Sequence, residues 1–157
     1  MAPRPRILVI GLGNPILRDD SVGLRVLRAL REQLPPTDEI ELAEDYHGGL
    51  RLMERMAGFQ RAIVIDAIVT GAATGTLHWL RVEDRPTQRT ASAHDVDLPT
   101  ALDVGRRAGA HLPDPEDIVI LGIEAEDVLE FGETLSPAVE AAIPVAVKLV
   151  MTRLRGM

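Results

Sequence analysis

The stretch ILVIGLGNPILRDDSVG, residues 7–23, is the part of the sequence that best indicates the fold class. Residues 7–10 are apolar without interruption, which is typical of a short strand covered on both faces. A loop rich in glycine and proline follows over residues 11–20. From about residue 20 to residue 34, valine and leucine recur at spacings of three and four, which predicts a helix with one buried face. Strand, loop and helix in this order form the repeating unit of an α/β protein.

The same alternation continues along the chain. It predicts a three-layer α/β/α arrangement, in which a largely parallel sheet lies between helices. The short turn before residues 76–82 permits a hairpin, and therefore one antiparallel strand. A length of 157 residues suits one domain, so we assign residues 1–157 to a single α/β domain. Further strands are predicted at residues 40–43, 61–68, 76–82 and 117–123, and further helices at residues 50–57, 96–110 and from residue 137 onward.

The composition excludes several classes of function. The formal net charge of −7 argues against a nucleic-acid partner, because phosphate binding needs clustered Lys and Arg. The chain has no cysteine, which excludes disulfides, zinc–thiolate sites and a thiol nucleophile. No apolar run reaches about 18 residues, and the run near the N-terminus is too short for a signal peptide. We therefore expect a cytoplasmic protein with no membrane partner.

The opening loop does not have the pattern of a nucleotide site. GLGNPI begins like the dinucleotide fingerprint G-x-G-x-x-G, but Ile16 stands where the third glycine belongs. No G-K-[ST] follows, which excludes a P-loop. Asp19 and Asp20 would occupy the positive end of the predicted helix, where either can cap the first turn. Their charges would repel a phosphate there.

Two carboxylates instead point to a reaction site. Asp20 follows the first strand, and Asp66 comes at the end of a similar apolar strand. Ligands of open α/β sheets bind at the carboxyl ends of the strands, so neighbouring strands would bring these two acids together. Two close carboxylates need a shared proton or a cation between them, and a histidine would complete a site suited to zinc or nickel. A helix cap remains the alternative role for Asp20.

The four histidines differ in their suitability as a third ligand. His47 and His94 are the better candidates, because both lie in predicted loops beside strands or helices of the site edge. The strand pattern leaves the face of His78 open, and His111 near a helix end suits a capping role. For each histidine taken alone, an ordinary surface position is the more common explanation.

Four stretches in order give the chain its resemblance to a known family. They are ILVIGLGNPILRDDSVG, IVIDAI, SAHDVDL and ILGIEAEDVLEFGETLSPAVEAAIP. Together they resemble the maturation endopeptidases of nickel–iron hydrogenases, and the similarity extends over about residues 6–152. The resemblance implies a twisted, mostly parallel five-stranded sheet, phosphorylase/hydrolase-like in type.

The resemblance also implies an activity. Such enzymes, aspartyl-type or metal-dependent endopeptidases, remove a C-terminal extension from the precursor of the hydrogenase large subunit after nickel insertion. Residues at the positions of Asp20, Asp66 and His94 would form the catalytic and metal-binding site. The nickel would belong to the precursor, so the free enzyme would carry no catalytic metal.

The chain departs from the family pattern in one loop. Members usually have Asp-Gly-Gly-Thr after the second strand, where this chain has AEDYHGG at residues 43–49. Glu44 or Asp45 stands near the usual aspartate, His47 is extra, and the role of each stays open. A milder departure is Asp20, one methylene shorter than the glutamate of some members.

Two alternative functions follow from the same residues. Peptidyl-tRNA hydrolases share a strand followed by GLGNP, but here Ile16 and the RDD of residues 18–20 replace that family's continuation. A net charge of −7 also makes a poor tRNA partner. A non-catalytic nickel-binding maturation chaperone would use the same three ligands.

The acidic segment at residues 124–133 is interpreted as a solvated loop. The alternative is that it binds basic residues of the precursor.

Overall fold

Strands and helices alternate along the chain as their apolar patterns predict. The structure, a computed structural model, describes residues 6–46, 48–84, 96–126 and 128–157. Three single-turn 3-10 segments accompany the main elements, at Asp19–Ser21, Val82–Asp84 and Pro115–Asp117. The strands are β1 (Ile7–Leu12), β2 (Ile40–Asp45), β3 (Arg61–Ile68), β4 (Leu77–Arg81) and β5 (Ile118–Glu124), and the helices are α1 (Val22–Gln33), α2 (Gly49–Met56), α3 (Leu98–Arg107) and α4 (Pro137–Arg155).

The five strands form one sheet in the order β2-β1-β3-β5-β4. The β1–β2, β1–β3 and β3–β5 pairs are parallel, and β4 alone runs antiparallel to its neighbour β5. The predicted fold class is confirmed: a five-stranded, mostly parallel sheet with one antiparallel pair, flanked by helices. The hairpin that the sequence permits between β3 and β4 does not form, because β5 lies between them, but the expected antiparallel strand is present as β4.

Side chains alternate between the two faces of the central strands. Ile63 and Leu121 pack with α1 and α4 on one face, whereas Val64 and Ile120 pack with α2 and α3 on the other. Full burial of each such side chain contributes about 1.5–3 kcal/mol to folding. Burial on both faces explains why β1, β3 and β5 appear as unbroken apolar runs.

Two glycines let α1 approach the ends of the strands. A Cβ atom on Gly11 would lie 2.5 Å from the carbonyl oxygen of Gly23, and one on Gly23 would lie 2.3 Å from that of Ile65. β1 therefore continues two residues beyond its apolar run, to Leu12. The first turn of α1 rests against the carboxyl ends of β1 and β3, and this contact positions the candidate site.

The predicted role of Asp19 or Asp20 as a helix cap is wrong. A 3-10 turn occupies Asp19–Ser21, α1 begins at Val22, and no side chain caps its first turn.

In the described part of the chain, no helix has both the length and the apolar character that crossing a membrane requires.

Candidate active site

Polar side chains share one row at the carboxyl edge of the sheet. Asp66 of β3 pairs with Gly122 of β5, and Gly122 pairs with His78 of β4. On the other side, Leu12 is level with Asp66 and pairs with Asp45 of β2. Strand alternation directs Asp45, Asp66 and His78 to the face covered by α2 and α3. Because Gly122 has no side chain, no side chain from β5 itself stands in this row between Asp66 and His78.

Asp66 lies where the sequence predicts, in a strand whose bounds match the prediction. Its side chain is almost fully buried, with 1% of the residue exposed. Val64, two residues earlier, packs under α2 and α3, so Asp66 faces the same layer. A charged carboxylate at such depth requires compensating partners.

Asp20 is held at the same edge by the glycine loop. Its Oδ2 atom accepts a hydrogen bond from the backbone N–H of Asn14, with an N–O distance of 2.9 Å. Gly13 passes so close that a Cβ atom there would lie 2.1 Å from the carbonyl oxygen of Asp20. The turn that carries Asp20 also contacts β3, the strand of Asp66. The G-x-G-N sequence thus wraps the acid and fixes its direction.

Asp19, the neighbour of Asp20, has a different task. It is fully buried and accepts hydrogen bonds from the backbone N–H of Glu126 at 2.9 Å and of Ser136 at 2.7 Å. The hydroxyl of Ser136 donates a third bond, also at 2.7 Å. Asp19 therefore joins both ends of the segment at residues 126–136 to the turn after β1.

The alternative between Glu44 and Asp45 is decided by strand alternation. Glu44 faces α1, where Arg28 and Arg31 donate hydrogen bonds of 2.9–3.1 Å to its carboxylate. Burial raises the pKa of Glu44, but the hydrogen bonds and charges of the two arginines outweigh it and lower the pKa below its ordinary value. Asp45 instead faces the site layer, where its Oδ2 lies 3.9 Å from Nε of Arg55. Asp45 is the acid that shares the row of Asp66.

Glu124 and His78 form a pair that sequence reasoning missed. Glu124 was assigned to a solvated acidic segment, but it ends β5 and is only 1% exposed. Its carboxylate accepts hydrogen bonds from the backbone N–H of Thr70, at 2.9 Å, and from the Thr70 hydroxyl. Nε2 of His78 lies 3.5 Å from Oε1 of Glu124, and this buried nitrogen has no hydrogen-bond partner among the described residues. Side chains alternate between the two faces of a strand, so counting in steps of two from Ile118 places Glu124 on the buried face covered by α2 and α3. This alternation is the signal in the sequence that could have identified Glu124.

The remaining predicted ligand, His94, lies outside the described residues, as does His47. Val96, close behind His94 in sequence, packs against the start of α2: a Cβ atom on Gly49 would lie 2.4 Å from its carbonyl oxygen. Asp97 then caps α3 by accepting the N–H of Thr100, and this backbone hydrogen bond lowers the pKa of Asp97. Over residues 6–46, 48–84, 96–126 and 128–157, no group of three His, Asp or Glu side chains is arranged to hold a metal.

Comparison with known proteins identifies the family. The family model described as "HycI: Hydrogenase maturation protease" matches residues 24–153. The chain is also 35% identical over 153 residues to the "Hydrogenase 2 maturation protease" of Escherichia coli K12, covering 96% of this chain and 91% of that protein. The chain belongs to the hydrogenase maturation protease family. The predicted identity as an endopeptidase is thereby confirmed. Neither match supports the alternative of a peptidyl-tRNA hydrolase.

Further hydrogenase maturation proteins agree with this membership. The structure of the hydrogenase maturating endopeptidase HybD from E. coli matches with a TM-score of 0.80 and 34% identity, covering 96% of this chain and 93% of that one. The "Hydrogenase expression/formation protein HoxM" of Azotobacter vinelandii is 27% identical over 150 residues, covering 94% of this chain and 71% of that protein. These relatives match the chain over nearly its whole length.

Proposed function

We propose that this protease removes the C-terminal extension from the precursor of a nickel–iron hydrogenase large subunit after nickel insertion. Asp20, Asp66 and His94 bind the nickel ion that the precursor carries. The observation that supports this most directly is the position of Asp20 and Asp66. The turn of one contacts the strand of the other at the carboxyl edge of the sheet, on a family scaffold.

The electrostatics of the two acids favour a cation as part of the substrate. Asp66 is 1% exposed, and the carboxylate of Asp20 is held in place by the N–H of Asn14. Negative charges at one edge repel each other, and a divalent ion between them removes that cost. A nickel-loaded precursor brings this ion, whereas a nickel-free precursor does not. The requirement for the ion makes nickel a recognition element for mature substrate.

Cleavage itself is hydrolysis of one peptide bond. The oxygen of a water attacks the scissile carbonyl carbon, a carboxylate of the site accepts the proton of that water, and the departing amine receives a proton. The precursor's nickel acts in one of two ways. It polarises the carbonyl or the attacking water, or it serves only to dock the scissile segment beside the carboxylate.

The first experiment measures cleavage of nickel-loaded precursor by mass spectrometry. Asp66→Asn keeps the shape of the side chain but removes its charge, and we expect the cleavage rate to fall by about 100-fold or more, as for loss of a catalytic charge. Asp38→Asn, an exposed acid at the amino edge of the sheet, is the matched control and should retain the wild-type rate. Cleavage by Asp66→Asn at the wild-type rate would contradict the assignment.

The second experiment separates nickel recognition from chemistry. Asp20→Asn and His94→Ala should each weaken binding of the nickel-loaded precursor, and nickel-free precursor should bind more weakly than loaded precursor and should not be cleaved. Equal cleavage of loaded and nickel-free precursor would overturn the recognition role. Nickel-dependent binding by the wild-type chain without any cleavage would instead identify a maturation chaperone.

A further inference from the structure

Exposed apolar side chains concentrate at the edge that carries the candidate site. Among the described residues, eight large apolar side chains are exposed, and six of them follow the carboxyl ends of strands or begin α2. The other two, Val104 and Val145, lie on α3 and α4. Clustered apolar exposure on a soluble domain marks an interaction site, whereas scattered exposure needs no explanation. The six are Ile16, Tyr46, Leu50, Val69, Leu129 and Phe131.

The two most exposed of these side chains lie on one paired segment. Leu129 is 71% exposed and Phe131 is 79% exposed. Phe131 pairs with Leu17 in an antiparallel bridge, flanked by hydrogen bonds from the N–H of Arg18 to Glu130 and from the N–H of Gly132 to Ile16. This bonding pattern makes Leu17 and Phe131 a non-hydrogen-bonded pair, whose side chains lie side by side. We call Leu17, Leu129 and Phe131 the apolar patch.

Hydrogen bonds connect the segment of the patch to the turn that carries Asp20. The segment is fixed at both ends by Asp19, which binds Glu126 and Ser136. Arg18 adds a hydrogen bond from Nε to the carbonyl of Thr134 at 3.0 Å. Asp20 follows these anchoring residues directly in sequence. These contacts place the patch next to the turn that carries Asp20 in sequence.

The surroundings of the patch are acidic. Glu126, Glu130 and Glu133 are exposed on the same segment, and residues 124–133 contain no Lys or Arg. Arg18 lies 3.5 Å from Glu130 and balances part of this charge. The remaining negative charge favours a partner whose apolar side chains are accompanied by basic ones.

We propose that the apolar patch is a docking surface for a segment of the hydrogenase precursor that combines apolar and basic side chains. The proposal rests on the proposed function, since the occupant is the substrate whose scissile bond must reach Asp20 and Asp66. Contacts at the apolar patch are made away from the reacting atoms, so their binding energy is the same in the bound substrate and in the transition state. Such contacts lower KM and leave kcat unchanged.

The test uses the double variant Leu129→Ser/Phe131→Ser in the full chain. Both side chains are exposed, so the fold should persist, which a thermal melt checks. Cleavage of nickel-loaded precursor should show a KM raised by about 10-fold or more at unchanged kcat, because two buried apolar contacts are lost. The control, Val104→Ser/Val145→Ser, removes the two exposed apolar side chains of α3 and α4, which are 48% and 51% exposed, and should leave KM unchanged.

A second arm tests the preference for basic side chains. Glu126→Gln/Glu133→Gln should raise KM several-fold at low ionic strength, and the difference from the wild-type chain should vanish at about 0.5 M salt, because exposed charges are then screened. An unchanged KM at low ionic strength would contradict the basic character of the partner.

The outcomes separate this proposal from the proposed function. Wild-type cleavage with an unchanged KM in Leu129→Ser/Phe131→Ser would overturn the docking surface alone. The absence of any cleavage by the wild-type chain would overturn the proposed function and the docking surface with it. If the variant converts a dimer to a monomer without changing KM, the patch joins two copies of the chain and the proposal is wrong.

Discussion

Asp19 and Asp66 are both buried, but they belong to regions with opposite purposes. Asp19 is surrounded by donors from one distant segment and accepts three hydrogen bonds from it. Asp66 lies in a row with Asp45 and His78, at the edge where substrates of parallel sheets bind. Burial of a carboxylate therefore does not by itself identify a catalytic acid. Its position in the fold and its hydrogen-bond partners must be considered together.

The largest effect on stability is expected when the buried acid Asp19 is replaced. Asp19→Ala leaves the buried backbone N–H and hydroxyl of Ser136 and the partly buried N–H of Glu126 without their acceptor. We expect the free energy of unfolding to fall by about 3 kcal/mol, equivalent to a melting temperature about 10 °C lower. Asp38→Ala serves as the exposed control. Urea unfolding measures the change, and a difference from the wild-type chain below about 0.5 kcal/mol would refute the anchoring role, since ordinary surface substitutions change stability by that much.

A smaller effect tests whether Glu124 belongs with Asp19 as a structural acid. Thr70→Val removes the hydroxyl donor to the buried carboxylate of Glu124, and we expect a loss of about 1.5–3 kcal/mol in unfolding free energy. The backbone N–H of Thr70 still donates to Glu124, which limits the loss. Thr152→Val on the exposed side of α4 provides the comparison. A variant that retains its stability but loses precursor cleavage would move Glu124 into the site region.

The smallest effect concerns Glu44, on the far side of β2 from Asp45. Its pKa is lowered in the folded chain because Arg28 and Arg31 outweigh burial, so its stabilisation is present above the ordinary pKa of 4.5 and is lost as the pH falls through the folded pKa. Glu44→Gln should cost about 0.5 kcal/mol at pH 7, a value typical of partly exposed ion pairs, and nothing at low pH. Unfolding curves at several pH values measure this. A cost that stays constant with pH would show that charge is not the cause.

Local patterns predict much of this fold from the sequence. Apolar runs locate β1, β3 and β5, and the bounds of β3 are those that the sequence predicts. The start of α1 is later than predicted, because a 3-10 turn holds Asp19 for a partner more than 100 residues away. No local pattern encodes such a contact. The extension of β1 to Leu12 likewise involves another element, because Gly11 and Leu12 pair with Glu44 and Asp45 of β2.

The candidate site is predicted less completely, and for the same reason. Asp20 and Asp66 stand out because each follows or ends an apolar run. Asp45 and Glu44 are indistinguishable in sequence until the register of β2 shows which one faces the site layer. The assignment of Glu124 to a solvated segment is wrong because its acidic neighbours conceal the last residue of β5. The joint role of Asp20, Asp66 and His94 stays a prediction.

A single carboxylate closes the base of the segment at residues 126–136, and this arrangement makes the segment replaceable. Because Asp19 holds both ends, residues between the two anchor points can change in identity or number at a small entropic cost of closure. The turn that carries Asp20, beside Asp19, would keep its place during such an exchange. Grafting this segment from another maturation protease is therefore a practical route to redirecting the enzyme toward a different precursor.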